Sequence, residues 1–254
     1  MYFSLSWRNI WRNKKRTIIV AASVFFAVIL AALMRSAQLG SYSYMIDSSA
    51  KLFTGYLQVQ GEEYWDKRSL DESIIIHEDT LTAISKIPNV THLSPRLEAY
   101  ALISHQTITK VSQVIGIDPE RENEITRTRD KLVKGEYLAE NSRGMLIGSG
   151  LAAMLQADIG DSLVVYGQGY HGQLAAAIVP VQGIIKLPFK AMDNAMVLLP
   201  LPLAQKIFSC EKRITSLPIL VDDVRHMDGV REAARKFLAE GQRIMLWNEL
   251  MPDL

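Results

Sequence analysis

The chain has 254 residues, 48% of them hydrophobic, and 28 Lys and Arg against 27 Asp and Glu give it a formal net charge of +1. Much of the basic excess sits in the first sixteen residues, so the remainder is mildly acidic, which argues against a polyanion-binding surface. Cys210 is the only cysteine, which excludes an intrachain disulfide, so the globular part must be held by its core.

In chain order, residues 1–16 come first. Phe3, Trp7, Ile10 and Trp11 share one helical face, and Arg8, Arg12, Lys15 and Arg16 fall on the other. Two readings fit: a cytoplasmic amphipathic segment lying among lipid headgroups, or a basic flank that only sets orientation. Thr17–Met34 then runs without a charge, a Pro or a Gly. At ~1.5 Å per residue it nearly crosses a hydrocarbon core of ~30 Å. A buried core helix would carry a polar stripe, and a cleaved signal would have a shorter apolar stretch before a small-x-small site. Neither fits the apolar run ending in Leu33-Met34-Arg35. The predicted span is 17–38. Arg8, Arg12, Lys14, Lys15 and Arg16 keep the N-terminus cytoplasmic and place the chain beyond the span outside.

A stalk is expected over 39–51, where Leu39, Tyr42, Ile46 and Ala50 recur at helical spacing, although Gly40 weakens it. Leu52–Gln60 reads as strand, Glu78–Ile87 as a helix ended by Pro88-Asn89, Thr91–Ser104 as one or two strands and Thr109–Ile117 as another. Gly144–Gly148 reads as a short strand into the helix Ser149–Leu155. Ser162–Tyr166 and Leu174–Ile185 read as strands joined through a tip at Gly167–Gly172. Met196–Leu199 is an apolar strand, Leu201–Phe208 a short helix, and Ser216–Val221 a strand. Asp222 or Asp223 is a candidate cap for a helix Val224–Glu240 with the stripe Val230, Ala233, Ala234, Phe237 and Leu238. Gly241 ends it and Arg243–Trp247 resumes as strand. The first and last strand–helix–strand units match in layout but not in residues.

Chemistry-bearing patterns are weak. Gly148-Ser149-Gly150 at a strand-to-helix turn suits a phosphate cradle in principle, but it lacks P-loop spacing and its Lys-Ser/Thr, so a tight turn is expected. Ser149 is not in an esterase elbow. Asp222, Asp223, His226 and Asp228 read as helix-start acids rather than a cation site. His77, His92, His105 and His171 share no ligand spacing and are expected in solvated or turn positions. Glu62-Glu63 and Asp71-Glu72 read as surface charge. No residue is assigned to catalysis, a cofactor or a metal, and no enzyme is expected.

Together these signals resemble the MacB/FtsX-like permeases of ABC transporters, including the lipoprotein-releasing LolC/LolE type. Trp7–Thr17 is similar to their N-terminal signature before the first span. Val114–Pro119 resembles their strand leading into an inserted subdomain, and Leu132–Gly135 their lxxG stretch. Leu146–Ala152 followed by Ile159–Leu163 resembles viGxxlA…xGD, and Val181–Ile184 followed by Val197–Leu201 resembles VvGi…vxvPL. The resemblance implies an α+β fold: one transmembrane helix and stalk, then a periplasmic domain. That domain would have a porter-like part at 52–117 and 215–254 and an inserted, mostly β, sabre-like subdomain at 118–214.

It also implies a bacterial inner membrane, a second permease subunit (the same or a different chain), a separate cytoplasmic ABC ATPase and contact with membrane lipid. Motion would pass from the ATPase through the stalks to a domain that handles lipoprotein, lipid or exported peptide. A lipoprotein or other periplasmic partner fits this scheme, and nucleic acid does not. Family permeases continue with three more spans, whereas this chain stops near Leu254, about where the next is expected. A truncated permease or an unusual split or decayed one would read this way, and the alternative is a single-span anchored receptor or adaptor. An apolar patch on the external domain would point to lipid or lipoprotein handling, but sequence does not locate one.

Overall fold

The computed structural model describes residues 12–49 and 54–250. Most of the expected amphipathic segment 1–16, the strand residues Leu52 and Phe53, and the final four residues lie outside them. The described chain falls into two units that divide near Ser48–Ser49.

The first unit is one helix, α1 (Lys14–Ser49), of 36 residues. It runs unbroken through Gly40, so the loss of helix propensity there is absorbed by the long apolar run around it. At ~1.5 Å per residue it is about 54 Å long, well beyond a hydrocarbon thickness of ~30 Å. Its stretch Lys14–Ser41 is long and apolar enough to cross a membrane, and none of it is buried. Ile18, Phe25, Phe26, Leu30 and Leu33 are all more than 60% exposed, which rules out a core helix.

The second unit is α+β. Strands β1 (Leu57–Gly61), β2 (Ile74–Ile75), β3 (Val90–Leu93), β4 (Arg96–His105), β5 (Ile108–Ile117), β6 (Leu132–Gly135) and β7 (Met145–Gly148) come first in the chain. After them come β8 (Ser162–Gln168), β9 (Leu174–Ile185), β10 (Met196–Pro200), β11 (Arg213–Ile214), β12 (Ser216–Val221) and β13 (Gln242–Leu246). Between them lie helices α2 (Glu78–Ser85), α3 (Pro119–Thr126), α4 (Ser149–Leu155), α5 (Leu201–Ile207) and α6 (Met227–Arg235).

β13, β1, β12 and β3 pair in that order, all antiparallel. With α2 between β1 and β3, and α6 between β12 and β13, this is a split β-α-β pair. The two similar units therefore interleave rather than stand side by side, because β12 lies between β1 and β3. Everything from β4 to β11 is inserted between the two β-α-β halves of that motif in the chain.

The inserted strands pair in a circuit that closes: β4 with β5, β5 with β10, β10 with β7, β7 with β9, β9 with β8, and β8 with β4. Inside it lies the main core, with Leu97, Ile103, Val114, Ile147, Leu151, Leu163, Val179, Val197 and Phe208. A smaller core, including Ile115, Leu138, Leu146, Ile185 and Leu198, fills another face of the same strands. This is why β7 and β10 read as continuous apolar runs. Gly116 lets α5 approach: a Cβ there would sit 2.4 Å from Ala204 Cβ.

One buried ion pair fastens α3 to the start of β4. Glu122 accepts from Arg96 Nε at 2.9 Å and Nη2 at 2.7 Å, and from Ser94 Oγ at 2.9 Å. Both charged residues are under 5% exposed.

The expected helix Val224–Glu240 is much shorter. A 3-10 turn at Val224–His226, capped by Asp223, leads into α6, which ends at Arg235. Only Val230 and Ala234 of the expected stripe are buried, and Phe237 is exposed. Residues 236–241 are needed to turn the chain back and set β13 beside β1. They do so with tight backbone bonds from Phe237 and Leu238 and a positive φ at Gly241.

Candidate functional site

The turn Gly148-Ser149-Gly150 is already occupied by an anion from within the chain. Asp193 Oδ2 accepts from Ser149 Oγ at 2.8 Å and Gly150 N–H at 2.9 Å, and Oδ1 accepts from Ser149 N–H at 3.2 Å and Leu187 N–H at 2.9 Å. Lys186 Nζ lies 2.8 Å from Oδ2. Burial alone would raise the Asp193 pKa, but the bonds from Leu187, Lys186, Ser149 and Gly150 outweigh it and hold the group down at about 2. The α4 N-terminus thus acts as an internal staple, and Gly148 rather than Ser149 is its cap residue.

The other candidate residues do not converge on a site. Asp222 pairs with His226 at 2.8 Å, which lowers its pKa, and Asp223 pairs with Arg225 at 2.6 Å, which lowers its own. Asp228 sits in the first turn of α6. Among the described residues no group of three His, Cys, Asp or Glu is placed to hold a metal. His77 caps α2 by its backbone position, His92 meets Glu124, and His171 meets Asp71. His105 departs from the expectation: it is buried, with Nδ1 at 3.0 Å from the Leu155 carbonyl. Glu63 and Glu72 pair with Lys67 on the surface.

What the structure does assemble is an apolar outer face on β5, β4, β8 and β9. Burial alternates along β8 and β9, as it should for strands with one face on a core. The chemistry does not alternate. Inward are Leu163, Val165, Ala175 and Val179, and outward are Val164, Tyr166, Leu174 and Ile178. Register brings these outward residues together with Tyr100, Leu102 and Val111: Leu102 lies opposite both Val111 and Tyr166, and Val164 opposite Ile178. Exposure runs from 39% at Leu102 to 72% at Ile178.

From Tyr100 onward the outward positions of these strands (100, 102, 104; 109, 111, 113; 162, 164, 166, 168; 174, 176, 178, 180) carry no charge, and their polar members besides the two tyrosines are Ser, Thr and Gln; Glu98, the next position on that side of β4, is half-buried and accepts from Ser216 Oγ. Seven large side chains, five of them aliphatic, in one charge-free array expose several hundred Å², the size at which a patch marks an interaction surface. A shallow groove of about 610 Å³ crosses it beside Tyr100, Tyr166 and Leu174. Gly167 forms part of its floor, since a Cβ there would sit 3.1 Å from the Tyr100 carbonyl oxygen.

The described residues thus comprise a helix long and apolar enough to cross a membrane and, after it in the chain, a split β-α-β sheet with a long β insertion. The chain belongs to the MacB-like periplasmic core domain family, whose model matches residues 17–237. That family is a component of transporter permeases, not of enzymes. Among curated proteins it is similar to the lipoprotein-releasing system transmembrane protein LolE of Haemophilus influenzae, 27% identical over 230 residues covering 87% of this chain and 55% of that protein. The chain therefore spans about half the length of that relative.

Among solved structures it resembles the extracellular domain of the noncanonic ABC-type transporter YknZ from Gram-positive bacteria. There the TM-score is 0.53 at 13% identity, over 74% of this chain and 98% of that one. It also resembles the periplasmic region of MacB from Actinobacillus actinomycetemcomitans, with TM-score 0.53 and 13% identity over 78% and 92%. Those two likenesses establish the fold.

Proposed function

We propose that this chain is the first span and periplasmic domain of an ABC transporter permease subunit that handles an apolar cargo: a lipoprotein, a lipid or an exported peptide. The observation that carries the cargo class is the apolar outer face of β5, β4, β8 and β9, which no described helix covers and which leaves Ile178 72% exposed. An apolar ligand gains about 25 cal/mol for each Å² it covers there, and no charge on the face has to be desolvated.

In this reading α1 crosses a bacterial inner membrane with its N-terminus cytoplasmic, as its basic flank directs. Its length beyond the hydrocarbon supports a role as the rigid stalk that passes motion from a separate cytoplasmic ATPase. A second permease subunit, the same or different, completes the transporter, and membrane lipid surrounds its spans. In the same reading the split β-α-β sheet belongs to the porter-like part (52–117 and 215–254) and β6–β11 to the sabre-like part (118–214), while β4 and β5, within 52–117 by number, pair mainly with the inserted strands. The long hairpin β4–β5 pairs toward both.

Affinity capture of the gene product containing this chain, from membranes in mild detergent, tests the assignment. A permease brings down an ATPase subunit in stoichiometric amount. Its absence, with the chain recovered from the membrane alone, favours the anchored adaptor.

A further inference from the structure

A second cleft, of about 610 Å³, lies between α6 and β13, at the end of the split sheet away from the apolar face. Arg231, Arg235 and Arg243 line it, with Glu249 as the one carboxylate in the lining among the described residues. Arg231 and Arg235 stand one helical turn apart and so share a face of α6. Leu238, Ile244 and Met245 form an apolar wall.

Each of these cations has one acid partner, which leaves most of its N–H donors for a further acceptor. Arg231 Nη1 donates to Glu249 Oε1 at 3.0 Å, and the other oxygen of that carboxylate accepts from the Leu246 N–H at 2.9 Å. Arg235 pairs with Glu232 and Arg243 with Asp66, both acids well exposed to solvent, where such pairs hold weakly. The Nε atoms of Arg231 and Arg243 are both buried with no acceptor among the described residues. Buried N–H donors are rarely left unpaired, and two on facing elements of one cleft point to an absent acceptor. Guanidinium forks fit a tetrahedral oxyanion, whose several oxygens serve more than one Arg at once.

We propose that this cleft binds a phosphate group, with the apolar wall taking the adjoining part of a phosphate ester. The chemistry is shared by a lipid headgroup and by free phosphate. The inference stands apart from the cargo reading above, since neither uses the other's residues.

The test is calorimetric titration of the full chain in neutral detergent, at low ionic strength, with inorganic phosphate in one arm and dihexanoyl phosphatidylglycerol in the other. Saturable one-site binding is expected. Tighter binding of phosphatidylglycerol identifies the lipid source, and equal or tighter binding of inorganic phosphate identifies the free anion. Arg231→Gln and Arg243→Gln are each expected to weaken binding about tenfold, the value of one charge-assisted bond. Arg225→Gln, at an exposed cation elsewhere, should leave it unchanged. In the wild-type protein the bound probe should slow phenylglyoxal modification of Arg231 and Arg243, a readout that does not require the variants to fold. The proposal is overturned if neither probe binds saturably, if both variants bind as wild type, or if protection falls on other arginines.

Discussion

Replacing Asp193 by Asn removes one charge while keeping the side chain's shape. In the native protein this carboxylate is 1% exposed and accepts from Ser149, Gly150, Leu187 and Lys186. Its pKa of about 2 lies below the ordinary 3.8. Folding therefore favours the charged form by about 2–2.5 kcal/mol at neutral pH. The sign follows from the lowered value. The stabilisation is complete above the ordinary value near 4 and is lost as pH falls through about 2, when the group protonates in the folded state too. Asn also turns an NH₂ group toward donors, which costs a further share of a hydrogen bond.

The expected loss at pH 7 is thus about 2–3 kcal/mol, or a Tm lower by roughly 4–12 °C for a unit of this size. Urea unfolding of wild-type and Asp193→Asn chains in the same detergent, followed by near-ultraviolet circular dichroism at pH 7, 4 and 2.5, measures it. The gap between the two should be widest at pH 7 and narrow toward pH 2.5. A gap under about 0.5 kcal/mol at pH 7, or one that does not change with pH, refutes the staple.

Three further outcomes are expected. Glu122→Gln should destabilise by about 3–5 kcal/mol in urea melts, because it strands Arg96 in the interior. The double change Arg96→Met with Glu122→Leu should recover most of that loss, since no buried charge is left. Phe26→Arg places a cation mid-span at a cost of about 3 kcal/mol, and carbonate extraction should move the chain out of the membrane pellet.

Most of the fold was legible because its elements announce themselves locally. β9 and β12 begin and end where the apolar runs do, and α4 starts where a Gly-rich turn meets the first helix-forming residues. The end of α6 was not legible: Val230 through Leu238 keeps helical spacing, but the return to β1 overrides it. The staple was hidden for a different reason. Asp193 stands 44 residues from Ser149, and only the pairing of β7 with β10 brings them together.

The apolar face was half visible. Leu174–Ile185 reads as a strand, and nothing local separates Val179, which is buried, from Ile178, which is not. Telling them apart needs the knowledge that no described helix or second sheet covers the outside of β8 and β9. Helices α4 and α5 pack on the core side instead, and Leu138, Leu187 and Met192 pack on the other face of β7 and β10. His105 was misplaced because its partner, the Leu155 carbonyl, is a backbone group that no side-chain pattern reveals.

The most direct test of the cargo face is a photo-crosslinking amino acid placed singly at Ile178, Tyr166 or Val111 in living cells, with exposed Glu124 as the control position. Adducts with a lipoprotein, a lipid or an exported peptide at the three face positions, and none at Glu124, are the predicted result. Absence of adducts at all three, or adducts only with cytoplasmic proteins, would contradict both the face and the side of the membrane it is assigned to.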